Sequence, residues 1–296
     1  MKRRFAIVDV FTDQPFGGNP LAIVLDAEGL STVAMQAIAA EFNYSETSFV
    51  LPPSDPAHTA KVRIFTPKSE MPFAGHPNVG TGFWLAQAGM VFDRPINGAM
   101  MFEEIAGLVP IEPICIAGRV TGAIVTAPAR LSLGDHADPV IVARCLGLDR
   151  ADITTTAHQP CVASVGAPFT IVQLREPALL DRIRVDPAHF IDLPPAARDL
   201  HVYAWDAQPD VSGIDIHCRM FAPLDGIAED PATGSANAAL AALIASLRPS
   251  GDLVLHIAQG DAMGRPSRLL ASVNPGGTVT IGGSCVAIAE GQLLFD

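Results

Sequence analysis

No stretch of this chain approaches the eighteen or so consecutive apolar residues needed to span a bilayer. The longest tempting run, Ala238 to Ala245, reads as a buried helix. Positive charge is scarce: 19 Lys and Arg stand against 31 Asp and Glu, a formal net charge of −12. Such a surface repels phosphate backbones, so nucleic acid is not an expected partner. The one basic cluster, Lys2-Arg3-Arg4, is followed by only Phe5 to Val8 before Asp9 breaks the apolar run. No small-residue cleavage site comes next, so a signal peptide is not expected. The five cysteines (Cys115, Cys145, Cys161, Cys218 and Cys285) are odd in number, widely spaced and free of any CxxC pair. That argues against a disulfide framework and fits reduced, mostly buried thiols in a cytoplasmic protein. No metal-ligand spacing occurs, and the Gly-rich stretches lack the context of a GxGxxG or P-loop fingerprint. Neither a metal nor a cofactor is expected.

What is present is a globular composition. Hydrophobic residues make up 49% and charged residues 17% of 296 residues, enough for two domains with a sizeable core. The chain also repeats itself. "RIFTPKSEMPFAGHPN" (63–78) and "RMFAPLDGIAEDPATGSAN" (219–237) both begin R-x-F-x-P. Both then reach E-x-P-x-x-G, at Glu70 to Gly75 and at Glu229 to Gly234. A small-residue apolar helical stretch follows each. Upstream, "NPLAIVL" (19–25) echoes "APFTIVQL" (167–174), each a strand entered through a proline. The order of three matching blocks is kept, which points to a duplicated domain.

Periodicity places strands at 4–10, 19–25, 48–51 and 61–66, and a helix at 31–42 with Val33, Ala37, Ile38 and Phe42 near one face. Strands are expected around 99–104, 108–116 and 120–126, and a helix near 138–146. The last strands are expected at 253–257, 268–273, 278–282 and 285–289. The best boundary between the halves is Pro128 to Pro139. The domains are therefore drawn as 1–128 and 129–296, with the last strand belonging to the second half or returning to the first.

The two motif helices carry the chemistry. His76 is read as the cap of the first, with Pro77 as its first residue, and Ser235 as the cap of the second. Free N–H groups and the helix dipole make each start suited to an anion, so a small carboxylate is the expected substrate class. Upstream, "NYSETSFVL" (43–51) puts one carboxylate, Glu46, between a helix and a strand. That acid is either a solvated turn residue or a working acid/base. Arg63 and Arg219 open both copies alike and are expected in structural ion pairs, with Glu70 and Glu229 bracing the loops. Cys218 is expected to be an inert core thiol.

"GNP" (18–20), "NYSETSFV" (43–50), "RIFTPKSEMPFAGHP" (63–77) and "EDPATGSAN" (229–237) together resemble the phenazine biosynthesis PhzF-like family, in order and over the whole chain. The resemblance implies an α+β fold of the diaminopimelate epimerase-like type. That fold has two pseudo-symmetric domains, each a curved sheet around a central helix, with the active site in the cleft between them; homodimers are common. In racemases of this fold two cysteines beside the motif glycines act as bases. The matching positions are Ala74 and Thr233, which cannot serve. The resemblance instead gives Glu46 as the general acid/base, with His76 and Asp230 as polar catalytic partners. Gly75, Gly234 and Ser235 would bind substrate. The implied function is a cofactor-independent isomerase moving a proton on a small carboxylate. A racemase or epimerase, a dehydratase, and a non-catalytic carboxylate-binding protein remain alternatives.

Overall fold

A computed structural model describes residues 2–294. In chain order the elements begin β1 (Lys2–Val10), β2 (Asn19–Val24), α1 (Thr32–Phe42), β3 (Glu46–Leu51), β4 (Ala60–Phe65), β5 (Glu70–Met71) and α2 (Gly75–Ala88). Next come β6 (Met90–Val91), β7 (Arg94–Pro95), β8 (Met100–Glu104), β9 (Gly107–Ile116), β10 (Arg119–Thr126), β11 (Ser132–His136) and α3 (Pro139–Leu146). After these lie β12 (Cys161–Ser164), β13 (Pro168–Gln173), α4 (Ala178–Arg182), β14 (Leu200–Trp205), α5 (Pro209–Ser212), β15 (Ile216–Ala222) and β16 (Ile227–Asp230). The chain ends with α6 (Gly234–Ser246), β17 (Leu253–Gln259), β18 (Ser267–Val273) and β19 (Val279–Leu294). It divides into two compact units, residues 1–128 with 282–296, and residues 129–281.

In the first unit eight strands pair in a ring, β1-β2-β3-β4-β8-β9-β10-β19 and back to β1. Helix α2 packs against β1, β2, β3, β9 and β10 and fills the ring. Its residues are small for that reason. A Cβ on Gly80 would come within 2.7 Å of Val10 and Leu21, and one on Gly82 within 2.4 Å of Ile111. Most of the helix is therefore buried all round, as a central element must be. On the outer face, α1 packs Met35 and Ala39, with Ile38 and Phe42 beside them, against Phe49 and Phe65. This corrects the expected face: Val33 is 79% exposed and Ala37 is exposed too. The buried set 35, 38, 39 and 42 follows the i, i+3, i+4, i+7 rule more closely.

The second unit repeats the plan. Strands run β12-β13-β14-β15-β17-β18, with β11 beside β12 and β16 beside β15. The parallel pairs correspond: β2 with β3 matches β13 with β14, and β4 with β8 matches β15 with β17. Register corresponds as well. Phe49 lies opposite Arg63 in the first unit, and Val202 opposite Arg219 in the second. Helix α6 packs against β12, β13, β17 and β18, buried along nearly its whole length by a run of Ala and Leu. An outer layer built on α3 and α4 packs Val142, Leu146, Leu179 and Phe190 against Leu200, Val202 and Ala204.

The duplicated sequence blocks have a shared physical task. Arg63 makes a two-pronged ion pair with Glu70 at 2.6 and 2.7 Å, and Arg219 does the same with Glu229 at 2.8 and 2.7 Å. Each guanidinium also lies over the phenylalanine two residues on, 5.1 Å from Phe65 and 5.0 Å from Phe221. R-x-F…E is thus a stacked and paired clip that folds each motif back on its own strand. The two strands expected at 278–282 and 285–289 form one, β19, which runs unbroken through 283–284 and bulges further on, between Ala287 and Ala289 opposite Val8 and Ile7.

Candidate active site

In the first unit, three chain segments meet at one end of the strand ring. Helix α1 stops at Asn43, which takes a left-handed conformation (φ 54°), and two further residues deliver Glu46 as the first residue of β3. Strands β2 and β3 are parallel, so the opening residue of β2, Asn19, lies at that same end. Its approach is fixed by Asp9, whose carboxylate accepts the Phe16 N–H at 2.7 Å, and by Gly18. Gly18 has φ +59°, and a Cβ there would lie 2.2 Å from the Val10 carbonyl oxygen, so only glycine fits. The third segment is the start of α2.

His76 joins the three. Its Nδ1 lies 3.2 Å from Glu46 Oε2 and 3.4 Å from Asn19 Nδ2. The His76 side chain is 3% exposed and that of Glu46 15%. Burial pushes the His76 pKa down to about 3, so the ring is neutral at neutral pH. Asn19 can only donate through Nδ2, which places the lone pair of the neutral ring at Nδ1. A protonated Glu46 can then donate to that nitrogen.

In the second unit, Asp230 closes β16 and is 3% exposed. Its Oδ2 accepts from Thr233 Oγ1 at 2.5 Å, a charge-assisted length. Gly234 and Ser235 open α6, and Ser235 is buried. Around them lies a polar cluster closed to solvent. Gln259 Oε1 accepts from Thr233 N at 3.1 Å and from Asn237 Nδ2 at 2.8 Å. Gln259 Nε2 donates to the Asp230 carbonyl at 2.8 Å and to Thr233 Oγ1 at 3.1 Å. Asn237 Oδ1 in turn lies 3.1 Å from His201 Nε2 and accepts from Cys218 Sγ at 3.4 Å. Burial holds His201 neutral, near a pKa of 4, and pushes the Cys218 thiol up, so neither carries charge into the cluster.

Each unit thus gathers three of the six residues singled out from sequence: Glu46, Gly75 and His76 in one, Asp230, Gly234 and Ser235 in the other. The helix caps differ from expectation. The capping positions are Ala74 and Thr233, and His76 and Ser235 are the second residues of their helices. The glycines are helical in place of their neighbours because Asn78 and Asn237 donate Nδ2 to the carbonyls of Ala74 and Thr233, each at 3.0 Å. No side-chain cap is made at either position. Sequence reasoning passed over Asn19, Asn78, Asn237 and Gln259. The two asparagines were visible in the repeat, each three residues after its motif glycine. Among the described residues no group of His, Cys, Asp and Glu could hold a metal ion, and no helix is long and apolar enough to cross a membrane.

Comparison with known proteins gives the family. The family model for phenazine biosynthesis-like proteins matches residues 8–291. An uncharacterized isomerase of Mesorhizobium japonicum is 39% identical, with 99% of each chain covered. The trans-2,3-dihydro-3-hydroxyanthranilate isomerase of Pseudomonas aeruginosa is 33% identical over 98% of each chain. Among solved structures, a PhzF-family phenazine biosynthesis protein of Bacillus anthracis superposes with a TM-score of 0.86 at 25% identity, all of both chains covered. A hydroxyproline epimerase of Agrobacterium vitis, at 14% identity and a TM-score of 0.62 over 99% of this chain and 92% of its own, shares the fold. The chain therefore belongs to the PhzC/PhzF phenazine biosynthesis-like family, with the diaminopimelate epimerase-like α+β fold, and is an isomerase.

Proposed function

We propose that this isomerase moves a proton along a small unsaturated carboxylate without an added cofactor, and that Glu46 is the group that carries the proton. The observation that supports this reading most is the contact of Glu46 Oε2 with His76 Nδ1 at 3.2 Å, made to an imidazole that burial keeps neutral. A histidine held near pKa 3 is too weak a base to compete for a carbon-bound proton. It is well suited to hold the carboxyl group in one orientation while that group carries its proton. One base that removes a proton and returns it elsewhere on the same face gives a shift and not an inversion. Ala74 and Thr233 offer no second base beside the motif glycines. Asp230, Gly234 and Ser235 are assigned to holding the substrate. Its class follows the relatives named for trans-2,3-dihydro-3-hydroxyanthranilate: a ring acid with a double bond and a neighbouring polar substituent. We further place the enzyme in the cytoplasm and as a homodimer.

The test is turnover in deuterated water. Trans-2,3-dihydro-3-hydroxyanthranilate and a panel of small unsaturated carboxylates are incubated with the enzyme, and product is read for mass shift. The expected result is at most one deuterium in the product, at the carbon that receives the proton and to the extent that Glu46 exchanges with solvent before returning it, and a loss of at least about a hundredfold in kcat for Glu46→Gln with folding intact. Near-normal turnover in the folded variant removes Glu46 from the reaction. Inverted product with deuterium at the starting carbon replaces the isomerase reading by a racemase.

A further inference from the structure

Helix α2 and helix α6 begin in the same way. Asn78 and Asn237, both without solvent exposure, send Nδ2 back to the carbonyl of the residue before the motif glycine. That carbonyl belongs to the same planar peptide as the glycine N–H. Fixing the oxygen into the helix therefore fixes the direction in which the N–H of Gly75 or Gly234 points. In the second unit the asparagine is itself held by Gln259, which also bonds Thr233 N and the Asp230 carbonyl. Gln259 is the residue that fastens the whole loop from 230 to 234.

The register of the two sheets gives the first-unit counterpart. In the second unit Cys218, one residue before Arg219 on β15, lies opposite Gln259 on β17. In the first, Lys61 on β4 lies opposite Glu103 on β8, so the residue before Arg63 falls at the level of Glu104. Glu104 thus stands where Gln259 stands. It follows buried Met100 and Phe102 on the inner face of β8, while Glu103 turns outward to the backbone N–H groups of Ser54 and Asp55. Both Glu104 carboxyl oxygens are closed to solvent. The Asn78 side chain is the hydrogen-bonding group that bears on them, short of full hydrogen-bond geometry.

We propose that Glu104 is a positioning residue that works as a carboxylic acid, its proton retained, and fastens the loop before α2 as Gln259 fastens the loop before α6. A protonated carboxyl has the shape of a glutamine amide, one acceptor oxygen and one donor, whereas a carboxylate has acceptors alone. Only the acid can accept from the Asn78 amide on one oxygen and still have a hydrogen to give from the other. Titratable groups on the elements packed against Glu104 do not oppose this. Lys61 and Arg63 on β4 and Glu112 on β9 alternate onto the face of Glu103. His76, the one titratable residue of α2, is neutral. Burial correspondingly raises the Glu104 pKa to about 8.

The role in turnover rests on the isomerase reading above; the protonation state does not. The deciding experiment is therefore in two arms. In the first, protein labelled at the glutamate side-chain carboxyls is titrated by NMR, with Glu104 assigned by its loss in Glu104→Gln. The Glu104 signal should titrate above neutrality, and the backbone amide of Gly75 should shift with it in the wild type and stay flat in Glu104→Gln. A Glu104 signal that titrates in the ordinary carboxylate range, or a Gly75 amide that ignores it, overturns the proposal. In the second, kcat/KM is followed from pH 6 to 9 on trans-2,3-dihydro-3-hydroxyanthranilate. Glu104→Gln should stay within about threefold of wild type near neutrality and lack the alkaline loss, whereas Glu104→Leu should fall at least about tenfold throughout. An alkaline loss that persists unchanged in Glu104→Gln also overturns it. If the wild type does not turn this compound over, the substrate reading fails and the NMR arm still decides the present one.

Discussion

His76 and His201 are both buried, and burial holds both far below an ordinary imidazole, near 3 and near 4. The unfolded chain binds protons on these rings below about pH 6.5 while the folded chain does not, so stability is lost as pH falls through that window. Each ring contributes up to about 1.4 kcal/mol per pH unit between its unfolded and folded values. Glu104 has the opposite sign. Its folded pKa is raised, so its contribution is full in acid and lost as pH rises from about 4.5 toward 8. Urea unfolding should therefore show Glu104→Gln more stable than wild type by about 1 to 3 kcal/mol at pH 8 and near parity at pH 4. His76→Asn should flatten part of the acid limb. If neither slope changes, the rings and the acid are better solvated than their burial implies.

Among the secondary elements, the R-x-F…E clips bind each motif to its strand, and their energetics are those of half-buried ion pairs. The partners are 15 to 21% exposed. Removing Arg63 leaves Glu70 with an unpaired charge and Phe65 without its stacking partner. Arg63→Ala should cost about 2 to 4 kcal/mol, and Arg63→Lys, which keeps charge but loses the fork, about 1 to 2. The same pair of substitutions at Arg219 should give similar values. The double variant should be additive within about 0.5 kcal/mol, because the clips share no partner. These clips were readable in the sequence because duplication printed them twice. The strands were readable because β-branched and apolar runs alternate with Gly and Pro. The helix starts were misplaced by about two residues, since Ser235 and His76 look like caps and the real bond comes from an asparagine inside the helix. Gln259 and Glu104 were not readable at all. Two partners of Gln259 lie 22 and 26 residues away, and Asn78, which bears on Glu104, lies on helix α2, so the fold and not any local pattern brings them together. The six candidate site residues lie in the quoted motifs; Gln259 and Glu104 do not.

For the molecule as a whole, thiol chemistry gives a simple check. Cys115 is exposed on β9, and Cys145, Cys161, Cys218 and Cys285 are buried. Burial also raises the thiols of Cys145 and Cys285 to about 12, which keeps them protonated and unreactive. An alkylating reagent should add once to the native protein by mass spectrometry and leave turnover intact, since no cysteine lies in a motif. Further additions should appear only with denaturant. Rapid inactivation that ligand prevents would place a cysteine among the substrate contacts and remove this picture of the site.

The ring of strands around α2 also sets a timetable for synthesis. It closes only when β19 lies against both β1 and β10, and residues 282–294 leave the ribosome after everything from 129 to 281. At ordinary elongation speeds the growing chain carries β1 and β10 as open edges for roughly ten to thirty seconds. The second unit, continuous in sequence, can meanwhile complete its own contacts. An open edge invites pairing with another chain. Lys2, Arg3 and Arg4, the scarce positive charges at the head of β1, stand on one of the two edges that must wait.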